Sequence, residues 1–282
     1  MSFVGGLRDG AGAAAWWLRH VEPSVRATIA TLLRPPRSRL PRPSLALVAV
    51  AAAAAIAAVA VAMIAIDGPV LALARQLPAV VVHAFDEFTD LGLSGWFLWP
   101  TGLLVIAIVL LNSPAAARFS RGILAAWAVR LGFLFTAIAV PGLFVTIIKR
   151  LIGRARPFVE GNDGWAYLPF SWRVDYASLP SGHATTGFSA LVAIGAMFPA
   201  ARALMWTYAV LIALSRVVIV THHPSDAITG AIVGAFGALL VRDWFAARRL
   251  GFAVRPNGTV YPMPGPSLRR IVKAVAQRLH SA

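Results

Sequence analysis

The sequence predicts an all-α membrane protein, a polytopic bundle of about six transmembrane helices. Composition is the first reason: hydrophobic residues make up 59% of the 282, charged residues 13%, and mean hydropathy is +0.73. Soluble domains sit nearer half apolar and a quarter charged. The second is a set of six apolar stretches long enough, or nearly so, to cross a bilayer that needs ~20 residues per helix. The third is the placing of the charge. The net +15 is concentrated at the two ends of the chain, flanking the apolar runs. That pattern fits topology signals and contacts with anionic membrane lipids better than a nucleic-acid surface, so no nucleic-acid partner is expected. The chain has no cysteine, which excludes disulfides, thiolate metal sites and cysteine nucleophiles.

Residues 1–43 form a basic tail carrying Arg8, Arg19, Arg26, Arg34, Arg37, Arg39 and Arg42, and its Pro/Arg-rich stretch 35–43 reads as an extended lead-in. The first span, 44–66, is nearly all Ala and Val. It starts too late for a cleavable signal and is expected to stay as an anchor. Further spans are expected at 95–111, 125–148, 184–199, 203–220 and 226–245, the fourth closed early by Pro199. Between the first two, 67–94 reads as an acidic loop, with Arg75 against Asp67, Asp86, Glu87 and Asp90. The turn with Arg118 and Arg121, the turn with Arg202 and both tails are basic. By the positive-inside rule both termini lie in the cytoplasm of a bacterial-type inner membrane. Alternation then puts 149–183 and 221–225 on the periplasmic side. The 149–183 loop is itself basic, against the rule, which suggests that its charges have a task. Residues 44–245 are thus the membrane domain, and 246–282 a second basic cytoplasmic tail. At 267–280, Leu268, Ile271, Val272, Val275 and Leu279 recur at helical spacing among basic residues, an interfacial amphipathic helix.

Three segments carry candidate chemistry. In Lys149-Arg150-Leu151-Ile152-Gly153-Arg154-Ala155-Arg156-Pro157, Lys149 and Arg156 are two helical turns apart and can face one point. An ammonium and a guanidinium converging there would bind a phosphate, although a snorkelling basic belt fits the same residues. In Pro180-Ser181-Gly182-His183, Ser181 and Gly182 precede an apolar helix. They read as a plain N-cap or as backbone donors for an anion, with His183 able to give or take a proton. In the third, Arg216 is an ionisable group inside a span, and His222, His223, Pro224 and Asp226 follow. Asp226 complements a helix dipole, holds one nitrogen of His222 so that the other is free to attack, or does both. All three segments fall at the outer ends of spans three to six. Together they supply cations, backbone donors, an acid and a nucleophile, the parts of a phosphoryl transfer.

These residues resemble the type 2 phosphatidic acid phosphatase (PAP2) family, membrane relatives of the vanadium haloperoxidases. The match is Lys-x6-Arg-Pro at Lys149 to Pro157, Pro-Ser-Gly-His at Pro180 to His183, and Ser-Arg-x5-His-x3-Asp from Ser215 to Asp226. It covers about a hundred residues in the second half of the chain. The resemblance implies a PAP2/haloperoxidase-like core and a metal-independent phosphatase without cofactor. Lys149, Arg156, Ser181, Gly182 and Arg216 would bind the phosphate. His222 would form a phosphohistidine held by Asp226, and His183 would protonate the leaving oxygen. Only His222, not His223, satisfies both spacings of the third motif.

The expected substrate is a lipid phosphate or diphosphate: undecaprenyl diphosphate, phosphatidylglycerol phosphate, phosphatidic acid or lipid A. The 157–179 loop carries Phe158, Trp165, Tyr167, Phe170, Trp172 and Tyr176, with Glu160, Asp163 and Asp175 breaking up its positive charge. Such rings either guide a lipid chain at the interface or pack the loop onto the helix ends. The alternatives are a lipid phosphotransferase using the same site and a non-catalytic phospholipid binding or transport protein. Gly230 and Gly234 form a small-xxx-small pattern that packs helices within one chain or between copies. The oligomeric state stays open.

Overall fold

The computed structural model describes residues 10–111, 118–159 and 164–266, together with 269, 272 and 276. Nine helices are described: α1 (Gly10–Leu32), α2 (Leu45–Val61), α3 (Asp67–Ala74), α4 (Ala79–Thr89), α5 (Gly95–Leu111), α6 (Arg118–Ile152), α7 (Gly182–Met197), α8 (Arg202–Val218) and α9 (Pro224–Ala247). A hairpin follows, in which β1 (Phe252–Val254) pairs antiparallel with β2 (Val260–Pro262). The chain divides into two compact units. One comprises Met1–Arg39, Trp99–Phe133 and Phe245–Ala282, the other Leu40–Leu98 and Leu134–Trp244.

The second unit holds every candidate site residue. Its α2 is capped by Ser44, whose Oγ accepts from the Leu47 amide at 3.2 Å, and has no buried residue. An apolar helix exposed all round is one that faces lipid. A π-helical turn, Ala62–Ile66, joins it to α3, so the first span runs on over Leu45–Ala74. The expected acidic loop at 67–94 is therefore largely helical. Pro78 opens α4, and the apolar run that follows carries the chain back through Ala79–Leu110, leaving Asp86 and Glu87 near the end of α4.

Among the described residues five helices are long and apolar enough to cross a membrane: Leu45–Ala74, Ala79–Leu110, Gly122–Ile152, Pro199–Val218 and Pro224–Ala247. The expected fourth span corresponds to α7, whose 16 residues reach about 24 Å against a hydrocarbon core of ~30 Å. Helix α7 is a core helix, with Ala184, Gly187, Ala190, Leu191 and Ala193 buried. It packs on α8, where a Cβ at Gly187 would lie 3.3 Å from Ala209 Cα. Against α9 the approach is closer still. A Cβ at Gly230 would lie 2.4 Å from the Ser181 carbonyl oxygen, and one at Gly234 2.4 Å from that of Thr185. The small-xxx-small pattern thus serves packing within the chain.

The other unit adds features that the tail reading lacked, α1 and the hairpin. Phe133 meets Phe245 and Phe252 edge-on, with centroids 5.4 and 4.7 Å apart. Arg130 donates to the Met263 carbonyl at 2.9 Å. The stretch 34–44 holds neither helix nor strand and bends at Ser38. The amphipathic helix at 267–280 lies outside the described residues except for 269, 272 and 276, which are helical. Glu160 and Asp163 also lie outside them.

Candidate active site

Four helix ends and two connections build the site. Lys149 stands in the last turn of α6, and Gly153, at φ +65°, ends that helix. A Cβ at Gly153 would lie 1.8 Å from the Leu168 carbonyl oxygen, so only glycine lets the 153–181 loop fold back here. The loop is tied to itself by backbone bonds from Ala155 to Ala166, Arg156 to Asp175 and Ser178 to Arg154. Ser181 is the N-cap of α7, and its own amide donates to the Asp226 carbonyl at 3.0 Å. After α8, Val220 takes φ +54°, and the amides of Thr221 and His222 both return to the Arg216 carbonyl at 3.1 Å. A β-branched residue in that region is an outlier of the kind that gathers at functional sites. Here it sets His222 beside the end of α8.

The phosphate-binding candidates come together. His183 lies within electrostatic reach of Arg216, His222, Lys149 and Arg156. A Cβ on Gly182 would meet the Lys149 ammonium at 3.8 Å, so that charge hangs over the start of α7. Arg216 is 7% exposed; its Nη1 donates to Thr89 Oγ1 at 2.9 Å, and Ser215 Oγ donates to the same oxygen at 2.8 Å. Its Nε is buried without a hydrogen-bond partner among the described residues. Burial lowers the Arg156 pKa, with the carboxylates of Asp226 and Asp175 working in the opposite sense. His183 is pushed down to about 3, first by burial and then by the Arg216 charge. His222 is pushed down to about 4, chiefly by burial, with Asp226 opposing. Both imidazoles are neutral near pH 7, a form that can attack and whose pKa a phosphate would raise.

Asp226, fully buried, serves more partners than the sequence indicated. Its Oδ1 accepts from Arg154 Nη1 at 2.8 Å. Its Oδ2 accepts from Ser178 Oγ and from the His223 amide at 2.9 Å. Nδ1 of His223 lies 3.2 Å from that oxygen and Nδ1 of His222 3.5 Å. The carboxylate therefore faces both histidines, but the hydrogen bond is to His223, and Nδ1 of His222 is buried without a hydrogen-bond partner among the described residues. Surroundings separate the two rings. His222 is grouped electrostatically with Arg156 and Arg216. His223 turns its Nε2 toward Gly164 and lines a separate cavity of about 260 Å³ with Asp67, Arg75 and Trp165.

Sequence reasoning passed over Arg154, Asp67, Ser178, Ser225 and Thr89. Arg154 is 1% exposed, and it donates to Asp67 Oδ2 at 2.9 Å and Ser225 Oγ at 2.7 Å as well as to Asp226. Burial alone would lower its pKa, but Asp226 and Asp67 outweigh that and raise it. Asp67 was legible as the first charge after a long apolar run, a position where a carboxylate asks for a partner. Nothing in the sequence marks Thr89 or Ser178. In the loop, Phe170 is 76% and Trp172 83% exposed, so these two rings are not packing it onto the helix ends. Arg150 holds the Trp172 carbonyl at 2.7 Å and lies over its ring.

Residues 130–250 match the model of the PAP2 superfamily. The chain is 32% identical over 201 residues to the lipid A 1-phosphatase of Rhizobium johnstonii, covering 70% of this chain and 80% of that protein. With the lipid A 1-phosphatase of Rhizobium etli the identity is 33% over 201 residues, 70% of this chain and 84% of that one. The fold is similar to the crystal structure of Aquifex aeolicus LpxE, with TM-score 0.45 and 22% identity over 63% of this chain and 94% of that chain. It is also similar to a transmembrane PAP2 type phosphatidylglycerolphosphate phosphatase from Bacillus subtilis, with TM-score 0.47 and 17% identity over 68% and 94%. The chain belongs to the PAP2 superfamily. It is a membrane-embedded lipid phosphatase.

Proposed function

We propose that the protein removes the 1-phosphate of a lipid A-type glycolipid, without a metal, through a phosphohistidine on His222. The observation that carries the mechanism is that His222 shares its surroundings with Arg156, Arg216 and His183, while His223 lines the cavity beside Asp67 and Trp165. Lys149, Arg156 and Arg216 neutralise the phosphate oxygens, and Ser181 and Gly182 offer the start of α7 to the same anion. Nε2 of His222 attacks phosphorus, and the bond to the lipid oxygen breaks. His183, which takes a proton from solvent once the bound anion raises its pKa, gives that oxygen the proton. Water then attacks phosphorus and gives a proton to His183, the P–N bond breaks with its electron pair returning to Nε2 of His222, and inorganic phosphate leaves. The choice of lipid rests on the two Rhizobium relatives, matched over most of their length. The exposed Phe170 and Trp172 suit a substrate that stays in the membrane interface. The site is assigned to the periplasmic face and both termini to the cytoplasm, because the basic tails flank the spans and α7, which carries the chain from the site back to the start of α8, makes the number of passages even.

The test is phosphate release by detergent-purified protein with chelator present, from lipid A beside phosphatidic acid, phosphatidylglycerol phosphate and undecaprenyl diphosphate. Lipid A is expected to be turned over fastest, and His222→Ala to be inactive. Faster turnover of another lipid would move the substrate, and loss of activity with chelator would end the metal-free mechanism. Loss of lipid substrate only with an acceptor, without free phosphate, would instead identify a phosphotransferase. A reporter fused after Ala282 should read as cytoplasmic; an external signal would reverse the orientation.

A further inference from the structure

Asp67 lies directly after the π-helical turn Ala62–Ile66, about 160 residues from Asp226 in sequence, yet it is 3% exposed and joined to the site. Its Oδ1 accepts from the Ser225 amide at 2.8 Å, and its Oδ2 accepts from Ser225 Oγ at 2.6 Å and Arg154 Nη2 at 2.9 Å. Arg154 also donates to the Gly164 carbonyl, at 3.2 Å from Nε, and spends Nη1 on Asp226 Oδ1. The result is a continuous chain of bonds from the start of α3, through the 153–181 loop, to the first turn of α9. It ends on one carboxylate whose remaining oxygen faces the histidines.

We propose that Asp67 and Arg154 are positioning residues that hold Asp226 in the orientation His222 needs when it becomes an imidazolium. The inference rests on His222 being the nucleophile. Arg154 occupies Oδ1 and stops the carboxylate from turning, so Oδ2 stays directed at the imidazole nitrogens. Asp67 holds the guanidinium from the far side and, through Ser225, fixes α9 in register with it. Stability alone is a poor reason to keep this set. Buried ion pairs are commonly no better than apolar residues of the same size, because removing charges from water costs as much as their attraction returns. The π-helical turn is the second sign. Such turns are rare and are found frequently at functional sites. Here the turn immediately precedes the residue that enters the network.

The test uses the full chain in detergent, with kcat and KM for the turned-over lipid phosphate measured for Asp67→Asn, Ser225→Ala and the double variant, beside His222→Ala. Asp67→Asn is expected to lower kcat roughly ten- to hundredfold, the range seen when a metal-bound imidazole loses its outer partner, with KM unchanged. Ser225→Ala retains both charges and should lower kcat in the same sense if Asp67→Asn does not fold. The double variant should lose no more than the worse single one, because both act through Arg154. Unchanged kcat in Asp67→Asn or Ser225→Ala beside an inactive His222→Ala would overturn the tether alone, as would losses that multiply. Activity in His222→Ala would remove the nucleophile and the tether together.

Discussion

At the scale of single residues, the site is defined by what its two buried imidazoles share space with. His222 and His183 both have pKa values below the ordinary 6.5, at about 4 and about 3, because burial and neighbouring cations disfavour the charged ring. The unfolded chain takes up these protons near pH 6.5, and the folded chain does so only near 4 and 3. Folded protein therefore binds fewer protons across that window, and stability falls as pH drops from about 6.5 toward 4. Thermal unfolding in detergent at pH 7 and pH 4.5 measures this. The loss should shrink in His222→Gln/His183→Gln, and an equal loss in wild type and variant would assign it elsewhere. The positions of these histidines were legible in the motif spacings, whereas the sharing of Asp226 was not. Three residues between His222 and Asp226 say that a carboxylate is near the ring. They do not say that Arg154, Ser178 and His223 are bound to it as well, since those bonds come from a loop fold and from the first turn of α9.

At the scale of elements, the bundle depends on helices that approach backbone to backbone. Helix α9 meets α7 through Gly230 and Gly234, at distances where a methyl group would enter the van der Waals shell of a carbonyl oxygen. Gly234→Ala should cost about 1–3 kcal/mol, the range for overpacking a close approach. Gly142→Ala in α6, where nothing lies within 4 Å of the added Cβ, should be neutral or stabilising by up to about 1 kcal/mol. Unfolding midpoints of the two variants compare them directly, and equal midpoints would dismiss the close approach as a source of stability. The long apolar helices were readable from length and composition, because a span has to be continuous and uncharged. Short α7 and the helical stretch 67–94 were less readable. Helix α7 is shielded by protein on several sides and need not reach across the bilayer by itself. Helix α4 carries its acids near the end, after an apolar run, where an acidic loop and a helix end look alike in sequence.

At the scale of the whole molecule, the chain is a PAP2-superfamily membrane phosphatase whose candidate catalytic groups all lie within the unit built from Leu40–Leu98 and Leu134–Trp244. The apolar spans and three motifs made the class legible, because phosphoryl transfer requires cations, an acid and a nucleophile in one place. The lipid was not legible, since the aromatic loop expresses affinity for an interface without naming a headgroup. The most direct measurement of the central claim is trapping of the covalent intermediate. Protein mixed with a phosphate-labelled lipid substrate is quenched under conditions that preserve phosphoramidates, digested and sequenced by mass spectrometry. Phosphate attached to His222 is the predicted result. Phosphate on His223, or turnover with no phosphoprotein at any time point, would contradict it.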